Sequence, residues 1–239
     1  MKYMGSKARF TKDILPIILE NRLPNQYFVD LFTGGANVVS LVDGNRIAND
    51  KNKHLIEMFK GLQNGNHRPF EIARTEYNNG TNIEFDDFMI GWIGWMGSAN
   101  GRFFDGGYSG KSNTKIGTVR DYIKEAISNI EKQIPKLNGI DFYDLHYKEV
   151  VIPENSIVYC DIPYENTKQY STSKGFNHLE FWDYARKLST EGHSVFVSEY
   201  NAPSDFRCIW QKEAKSSLSA NGQIGGNKCS TEKLFEYIR

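Results

Sequence analysis

The run Ile157-Val158-Tyr159-Cys160-Asp161-Ile162-Pro163-Tyr164 puts a carboxylate, a proline and an aromatic ring at the end of an apolar, β-prone segment. In open α/β sheets ligands bind at the carboxyl ends of the strands, so Asp161 and Tyr164 are expected at a cleft. They suit the chemistry of an amine conjugated with a flat heterocycle. The lone pair of such an amine is delocalised into the ring, and its nitrogen is a poor nucleophile. Acceptors aimed at its two protons favour a tetrahedral nitrogen and localise that lone pair. The Asp161 carboxylate can accept one of these bonds and the Ile162 backbone carbonyl the other, most effectively in a dry site. Tyr164 can stack on the heterocycle. The same four residues also read as a strand-ending turn with a capping aspartate, and alone they do not separate the two.

A second constellation is Asp30-Leu31-Phe32-Thr33-Gly34-Gly35. A glycine turn after a strand lets a ligand come close to backbone, and a helix after it would present its N-terminus. Asp50 follows Asp30 by 20 residues, at the end of the next expected strand. A carboxylate there can accept hydrogen bonds from a ribose diol. A Gly-Gly turn is common in any α/β protein, and G-x-G-x-x-G is absent, which disfavours a dinucleotide.

The elements that must position these residues follow a β-α-β rhythm. Ile14, Leu15, Ile17, Ile18 and Leu19 give an early helix an apolar face that Pro16 interrupts. Strands are expected at Tyr27–Phe32, Arg46–Asp50, Asp141–Leu145, Ser156–Cys160 and Ser194–Tyr200, and the end of the chain reads as mixed strand and loop with a last strand at Leu234–Arg239. Helices are expected at Ala36–Val42, Lys53–Leu62 and Leu179–Thr190. Residues 67–139 change character. Helical pieces at Pro69–Tyr77, Phe85–Trp95 and Val119–Gln133 surround a Gly- and aromatic-rich stretch, Gly97–Gly110, which reads as a hairpin or exposed loop. The fold class is α/β with an insertion over residues 60–139, flanked by 1–59 and 140–239.

Bulk properties bound the rest. The chain has 239 residues, 39% hydrophobic and 24% charged, ordinary for a globular protein with a substantial core. Twenty-nine basic residues balance 29 acidic ones, so any nucleic-acid face must come from local charge. Cys160, Cys208 and Cys229 show no C-x-x-C pair or zinc spacing, which fits a reducing cytoplasm. Met1–Phe10 lacks the apolar run of a signal peptide, and no window suggests a membrane span.

Taken in order, Phe28–Gly35, Ala48-Asn49-Asp50 and Tyr159–Tyr164 resemble the Dam-type, alpha-group adenine DNA methyltransferases. The resemblance covers nearly the whole chain and includes an opening Tyr3-Met4-Gly5-Ser6-Lys7 similar to the family's aromatic-x-Gly-x-Lys start. It implies a Rossmann-like S-adenosylmethionine methyltransferase sheet with a mainly helical DNA-recognition insertion. It also implies methyl transfer to adenine N6 in double-stranded DNA, with no metal and no covalent nucleophile. Tyr3 and Lys7 would lie near cofactor and target base. Asp30, Phe32, Gly34 and Gly35 would hold the methionine end, Asp50 the ribose and Tyr147 the cofactor adenine. Asp161, Ile162, Pro163 and Tyr164 would hold the target base, with Asp161 also bordering the cofactor. Two positions depart from the family's pattern. Ile162 stands where proline is usual, which loses the fixed φ but keeps the carbonyl. Ala36 stands where a further glycine is common, tolerable if that position is helical.

From Ala99 to Arg120, four basic residues face one acid, Asp105. Lys111, Lys115 and Arg120 could position phosphates, Asn100 or Arg102 could read base edges, and Phe103 with Phe104 could wedge or stack. A solvated glycine-rich loop would carry the same residues. Tyr170 could close over the site or be a plain loop residue. Ser198-Glu199-Tyr200 could line the cleft but reads first as a strand cap, Trp92 and Trp95 read as core, and Cys160 as packing. Cytosine N4 or an RNA base as target, or a decayed DNA-binding module, stay open on the residues alone. A monomer is expected, with a dimer as the alternative.

Overall fold

The computed structural model describes all residues except 82–83, 115, 166–174, 216–228 and 239. In chain order the elements are α1 (Thr11–Ile18), β1 (Phe28–Asp30), β2 (Arg46–Asn49), α2 (Lys53–Gln63), α3 (Arg74–Asn78) and α4 (Asp87–Met96). Then come β3 (Lys111–Asn113), β4 (Val119–Asp121), α5 (Tyr122–Glu131), α6 (Ile134–Leu137), β5 (Ile140–Tyr143) and β6 (Ile157–Asp161). The chain continues with α7 (His178–Thr190), β7 (Ser194–Glu199), β8 (Phe206–Lys215) and β9 (Cys229–Tyr237). Seven strands form one sheet in the order β5-β2-β1-β6-β7-β9-β8. The five from β5 to β7 are parallel, and β9 and β8 are added antiparallel. A separate antiparallel pair, β3 with β4, lies outside it.

Side-chain alternation divides the core into two layers. Phe28, Ala48, Phe142, Ile157 and Tyr159 face α1, α2, α4 and α5 in one buried cluster. Val29, Leu31, Ile47, Val158 and Cys160 face the other way, against Phe181, Trp182, Ala185 and Leu188 of α7. The fully buried central strands are why β1 and β6 read as unbroken apolar runs. The helices of residues 60–139 share the first cluster. Trp92 and Trp95 of α4 are buried in it, as expected, and Cys160 is buried in the second.

Several expected elements differ. No α-helix follows β1. Gly34 and Ala36 take left-handed φ values of +45° and +52°, which a right-handed helix cannot include, and only a 3-10 turn forms at Val39–Leu41. The expected Pro69–Tyr77 helix starts only at Arg74, where the Glu76 carboxylate accepts from Ala73 N at 2.6 Å and fixes the helix start. The expected Val119–Gln133 helix begins at Tyr122, because Asp121 caps it by accepting from Lys124 N at 3.1 Å. The last strand starts at Cys229 rather than Leu234, and β8 falls in the stretch expected to mix strand and loop, with no bounds assigned from the sequence. β8 is an edge strand with Arg207, Cys208, Gln211, Lys212 and Glu213 exposed and an irregular register between Cys208 and Trp210, so its alternation is muted. Among the described residues no helix is long and apolar enough to cross a membrane.

Candidate active site

The parallel strands end at one edge, and a cavity of about 610 Å³ opens there. Asp30 closes β1, Asp50 follows β2 and Asp161 closes β6, so three strand ends deliver three carboxylates to one space. Asn49 ties the neighbouring ends together. Its amide donates to Leu31 O and Leu145 O, each at 3.1 Å, and its oxygen accepts from Leu145 N at 3.0 Å.

At one end of the cavity, Asp50 accepts from Gly34 N at 3.1 Å and Asn52 N at 2.9 Å. Burial pushes this carboxyl up to about 6, against the pull of those two N–H donors. The Gly34-Gly35 turn has to be glycine because Tyr3 lies across it. A Cβ on Gly34 would stand 2.7 Å from the Tyr3 ring, and one on Gly35 2.7 Å from Tyr3 Cβ. Asp30 is 1% exposed, and its Oδ1 has no hydrogen-bond partner among the described residues. Burial, with the negative charge of Asp161, pushes it well above the usual carboxylate range. Beside this end, Phe32 packs on Tyr147 at 5.4 Å and on Phe176 and Phe181 at 5.8 Å. Burial pushes the Tyr147 phenol up to about 12.

At the other end, Asp161 Oδ1 lies 2.8 Å from the ammonium of Lys7, which is 7% exposed. Burial raises the Asp161 carboxyl, and Lys7 opposes that rise. Burial works to lower Lys7, but Asp161 and Glu232 outweigh it and hold Lys7 above its usual value. The same ammonium sits 4.5 Å from the Tyr164 ring centroid, and Tyr200 meets that ring edge-on at 4.6 Å. The Tyr164 hydroxyl donates to Glu232 at 2.8 Å. The Ile162 side chain is 2% exposed and packs in the α7-side cluster. Pro163 O accepts from His178 Nε2 at 2.7 Å, and Glu165 N donates to Glu199 Oε2 at 2.9 Å. Glu199 is therefore a cap, as expected of its strand end, while Tyr200 beside it lines the cavity.

Tyr3, Lys7, Asp30, Phe32, Gly34 and Gly35 all border this one cavity. So do Asp50, Tyr147, Asp161, Ile162, Pro163 and Tyr164. The expectation that Ala36 is helical is corrected: its left-handed φ is the conformation a glycine holds without strain. Of the residues expected to meet nucleic acid, Arg102 borders the cavity and donates to Met4 Sδ at 3.0 Å. Phe103 does not stand ready as a wedge. It is half-buried and stacked on Trp95 at 4.2 Å, because the loop closes by bonds from Ala99 N to Gly107 O and Ser109 N to Gly97 O. Asn100 is exposed, with a left-handed φ of +59°. Lys111 and Arg120 are exposed on β3 and β4, and Arg120 is engaged by Glu125 at 2.6 and 2.8 Å. Lys115 and Tyr170 lie outside the described residues. Sequence reasoning missed Glu232, His178 and the exposed hairpin residues Ile116 and Val119. None of them sits in a local motif.

Carboxylates at the ends of parallel strands, around a cavity with a glycine turn and an aromatic wall, place the candidate site of this α/β protein where such sheets bind ligands. A family model described as D12 class N6 adenine-specific DNA methyltransferase matches residues 3–89 and 103–217, and the chain belongs to that family. It is also 27% identical over 223 residues to the modification methylase StsI of Streptococcus sanguinis, an alignment covering 77% of this chain. The chain spans about a third of the length of that relative, 33%.

Proposed function

We propose that the protein transfers a methyl group from S-adenosylmethionine to the exocyclic N6 of adenine in a specific sequence of double-stranded DNA. The observation that carries this is the arrangement of Lys7, Asp161 and Tyr164 in the same cavity as Asp30, Gly34 and Asp50. The order of the sheet, with its antiparallel β9 beside β7, supports a Rossmann-like methyltransferase architecture in which residues 60–139 serve recognition.

The residues present fit the cofactor. The buried, unpartnered Asp30 Oδ1 suits a cationic amine donor, the Asp50 carboxylate suits a ribose diol, and Phe32 and Tyr147 offer an aromatic wall to an adenine. S-adenosylmethionine supplies an electrophilic methyl on a sulfonium, so the chain needs no covalent nucleophile of its own. Asp161 accepts a bond from one proton of the target amine and the Ile162 carbonyl from the other, which localises the nitrogen lone pair. Tyr164 offers its ring face to a base turned out of the duplex. The rings of Tyr164 and Tyr200 pack edge-on beside the place this reading gives the amine.

On the DNA side, the β3–β4 hairpin carries exposed Ile116 and Val119 between Lys111 and Arg120. Apolar tips flanked by cations suit insertion between base steps with phosphate contacts beside them. Ile116 and Val119 therefore take the wedge role expected of Phe103. The relative's description as a modification methylase supports placing the chain in restriction–modification.

The test is to incubate duplex DNA with the protein and S-adenosylmethionine, digest to nucleosides and identify the methylated one. N6-methyldeoxyadenosine is expected from the wild type and none from Asp161→Ala. N4-methyldeoxycytidine, or no methylated nucleoside from any duplex, sinks the proposal.

A further inference from the structure

Alternation along β9 sends Glu232 to the same side of the sheet as Leu234, which is buried in the core. An apolar side chain is the ordinary occupant of such a position. Glu232 is instead a carboxylate, 7% exposed. Its Oε2 accepts from the Tyr164 hydroxyl at 2.8 Å and stands 3.6 Å from Lys7 Nζ. The same ammonium is 2.8 Å from Asp161 Oδ1. Among the described residues one cation thus serves two carboxylates, Glu232 and the partly buried Asp161. Stability does not account for this, since a buried ion carries a large desolvation cost that half a counter-ion does not offset.

We propose that Glu232 is a positioning residue for methyl transfer: it divides the Lys7 ammonium with Asp161 and anchors the Tyr164 hydroxyl, leaving Asp161 an oxygen for the target amine. This rests on the reading of the cavity given above. A carboxylate oxygen that already accepts from an ammonium is a weaker acceptor for another donor, and an ammonium with one carboxylate partner is free to reach either of its oxygens. Glu232 holds Lys7 off to one side, at Oδ1 of Asp161, so that the second oxygen keeps its acceptor strength. Its bond to the Tyr164 hydroxyl fixes the far end of a ring that Lys7 and Tyr200 also contact. Two of the three groups around the amine are therefore oriented by one side chain from a strand that carries no recognisable motif.

Glu232→Gln separates the contributions. The amide oxygen can still accept from Tyr164, but it carries no charge to hold Lys7. Single-turnover methyl transfer to a duplex and equilibrium binding of S-adenosylhomocysteine and duplex would be measured for the wild type and four variants. These are Glu232→Gln, Glu232→Asp, Lys7→Gln and the Lys7→Gln/Glu232→Gln double variant. Glu232→Gln is expected to transfer about tenfold more slowly, with both dissociation constants within about threefold of wild type. Glu232→Asp should recover part of the rate. The double variant should be no slower than Lys7→Gln, because without the ammonium there is nothing to divide. The proposal is overturned if Glu232→Gln transfers at the wild-type rate, loses ligand binding in step with its rate, or multiplies the effect of Lys7→Gln. A wild type that transfers no methyl group sinks the reading of the site and this inference together. An active wild type with an unaffected Glu232→Gln sinks this inference alone.

Discussion

The imidazole Nε2 of His178, at the start of α7, lies 2.7 Å from the carbonyl oxygen of Pro163. A carbonyl can only accept, so this nitrogen carries the proton. The bond restrains a backbone that Ile162 leaves freer than a proline would. Glu199 restrains the same segment two residues on, through Glu165 N. His178→Ala should therefore slow transfer about five- to tenfold, the worth of roughly 1–1.4 kcal/mol of a lost hydrogen bond. Adding Ile162→Pro should restore most of that rate, since the ring then supplies the restraint. A single-turnover comparison of the three proteins decides it. If Ile162→Pro fails to help the His178→Ala variant, the backbone-restraint account is wrong.

The close approach of Tyr3 to the glycine turn makes opposite predictions for neighbouring positions. Gly34→Ala meets the Tyr3 ring at 2.7 Å and strains a φ of +45°, so binding of S-adenosylhomocysteine should fall at least about tenfold. Ala36→Gly relieves a left-handed alanine, worth roughly 1–2 kcal/mol, and loses one buried methyl, worth roughly 0.8 kcal/mol. Its stability should stay level or rise by about 1 kcal/mol, whereas glycine replacing a helical alanine costs about that much. Calorimetric titration with S-adenosylhomocysteine reads the first variant, and thermal melts against wild type read the second.

Asp50 gives a pH dependence with a definite sign. Its carboxyl stands at about 6 in the folded chain, above its ordinary 3.8. The folded state therefore holds the proton more tightly than the unfolded one. The stability this group contributes is complete below its ordinary value and is lost as pH rises through about 6. Ligand binding runs the other way, because only the carboxylate accepts from both hydroxyls of a ribose. Affinity for S-adenosylhomocysteine should weaken several-fold between about pH 7.5 and pH 5.5, and Asp50→Asn should be weak at both and nearly flat. Calorimetric titration at the two pH values checks this. A slope unchanged in Asp50→Asn would assign the effect to another group.

The parallel strands were legible because β1 and β6 are buried on both faces and spell apolar runs ending in acids. The cavity residues drawn from those ends, and from the Tyr3–Lys7 opening, meet in space for the same reason: strand ends share one edge. What was not legible depends on contacts between distant segments. Glu232 enters from an antiparallel strand reached through β8, whose exposed polar side chains hide its alternation. Ala36 looks helical by propensity, and only the turn that brings backbone under Tyr3 forces its left-handed φ. Phe103 looks like an exposed aromatic in a glycine-rich loop, and only the closing bonds of that loop turn it onto Trp95.

Arg102 and Phe103, adjacent in sequence, should accordingly fail in different ways. Phe103 stacks on Trp95 at 4.2 Å and meets Phe104 at 4.8 Å, and Gly94 is small enough to admit its ring. Phe103→Ala removes a packed ring and should cost about 2–3 kcal/mol of stability, a little under the range for a fully buried phenylalanine. Below its melting temperature it should bind duplex as the wild type does. Arg102 borders the cavity, half-buried, with its guanidinium held against Met4. Arg102→Ala should change stability by less than about 0.5 kcal/mol. It should weaken duplex binding about five- to tenfold and lower the slope of log affinity against log salt by about one if a phosphate is its partner. Thermal melts and anisotropy titrations over a range of salt separate the two variants. A Phe103→Ala protein that melts like wild type but loses duplex affinity would return the wedge role to Phe103 and take it from Ile116 and Val119.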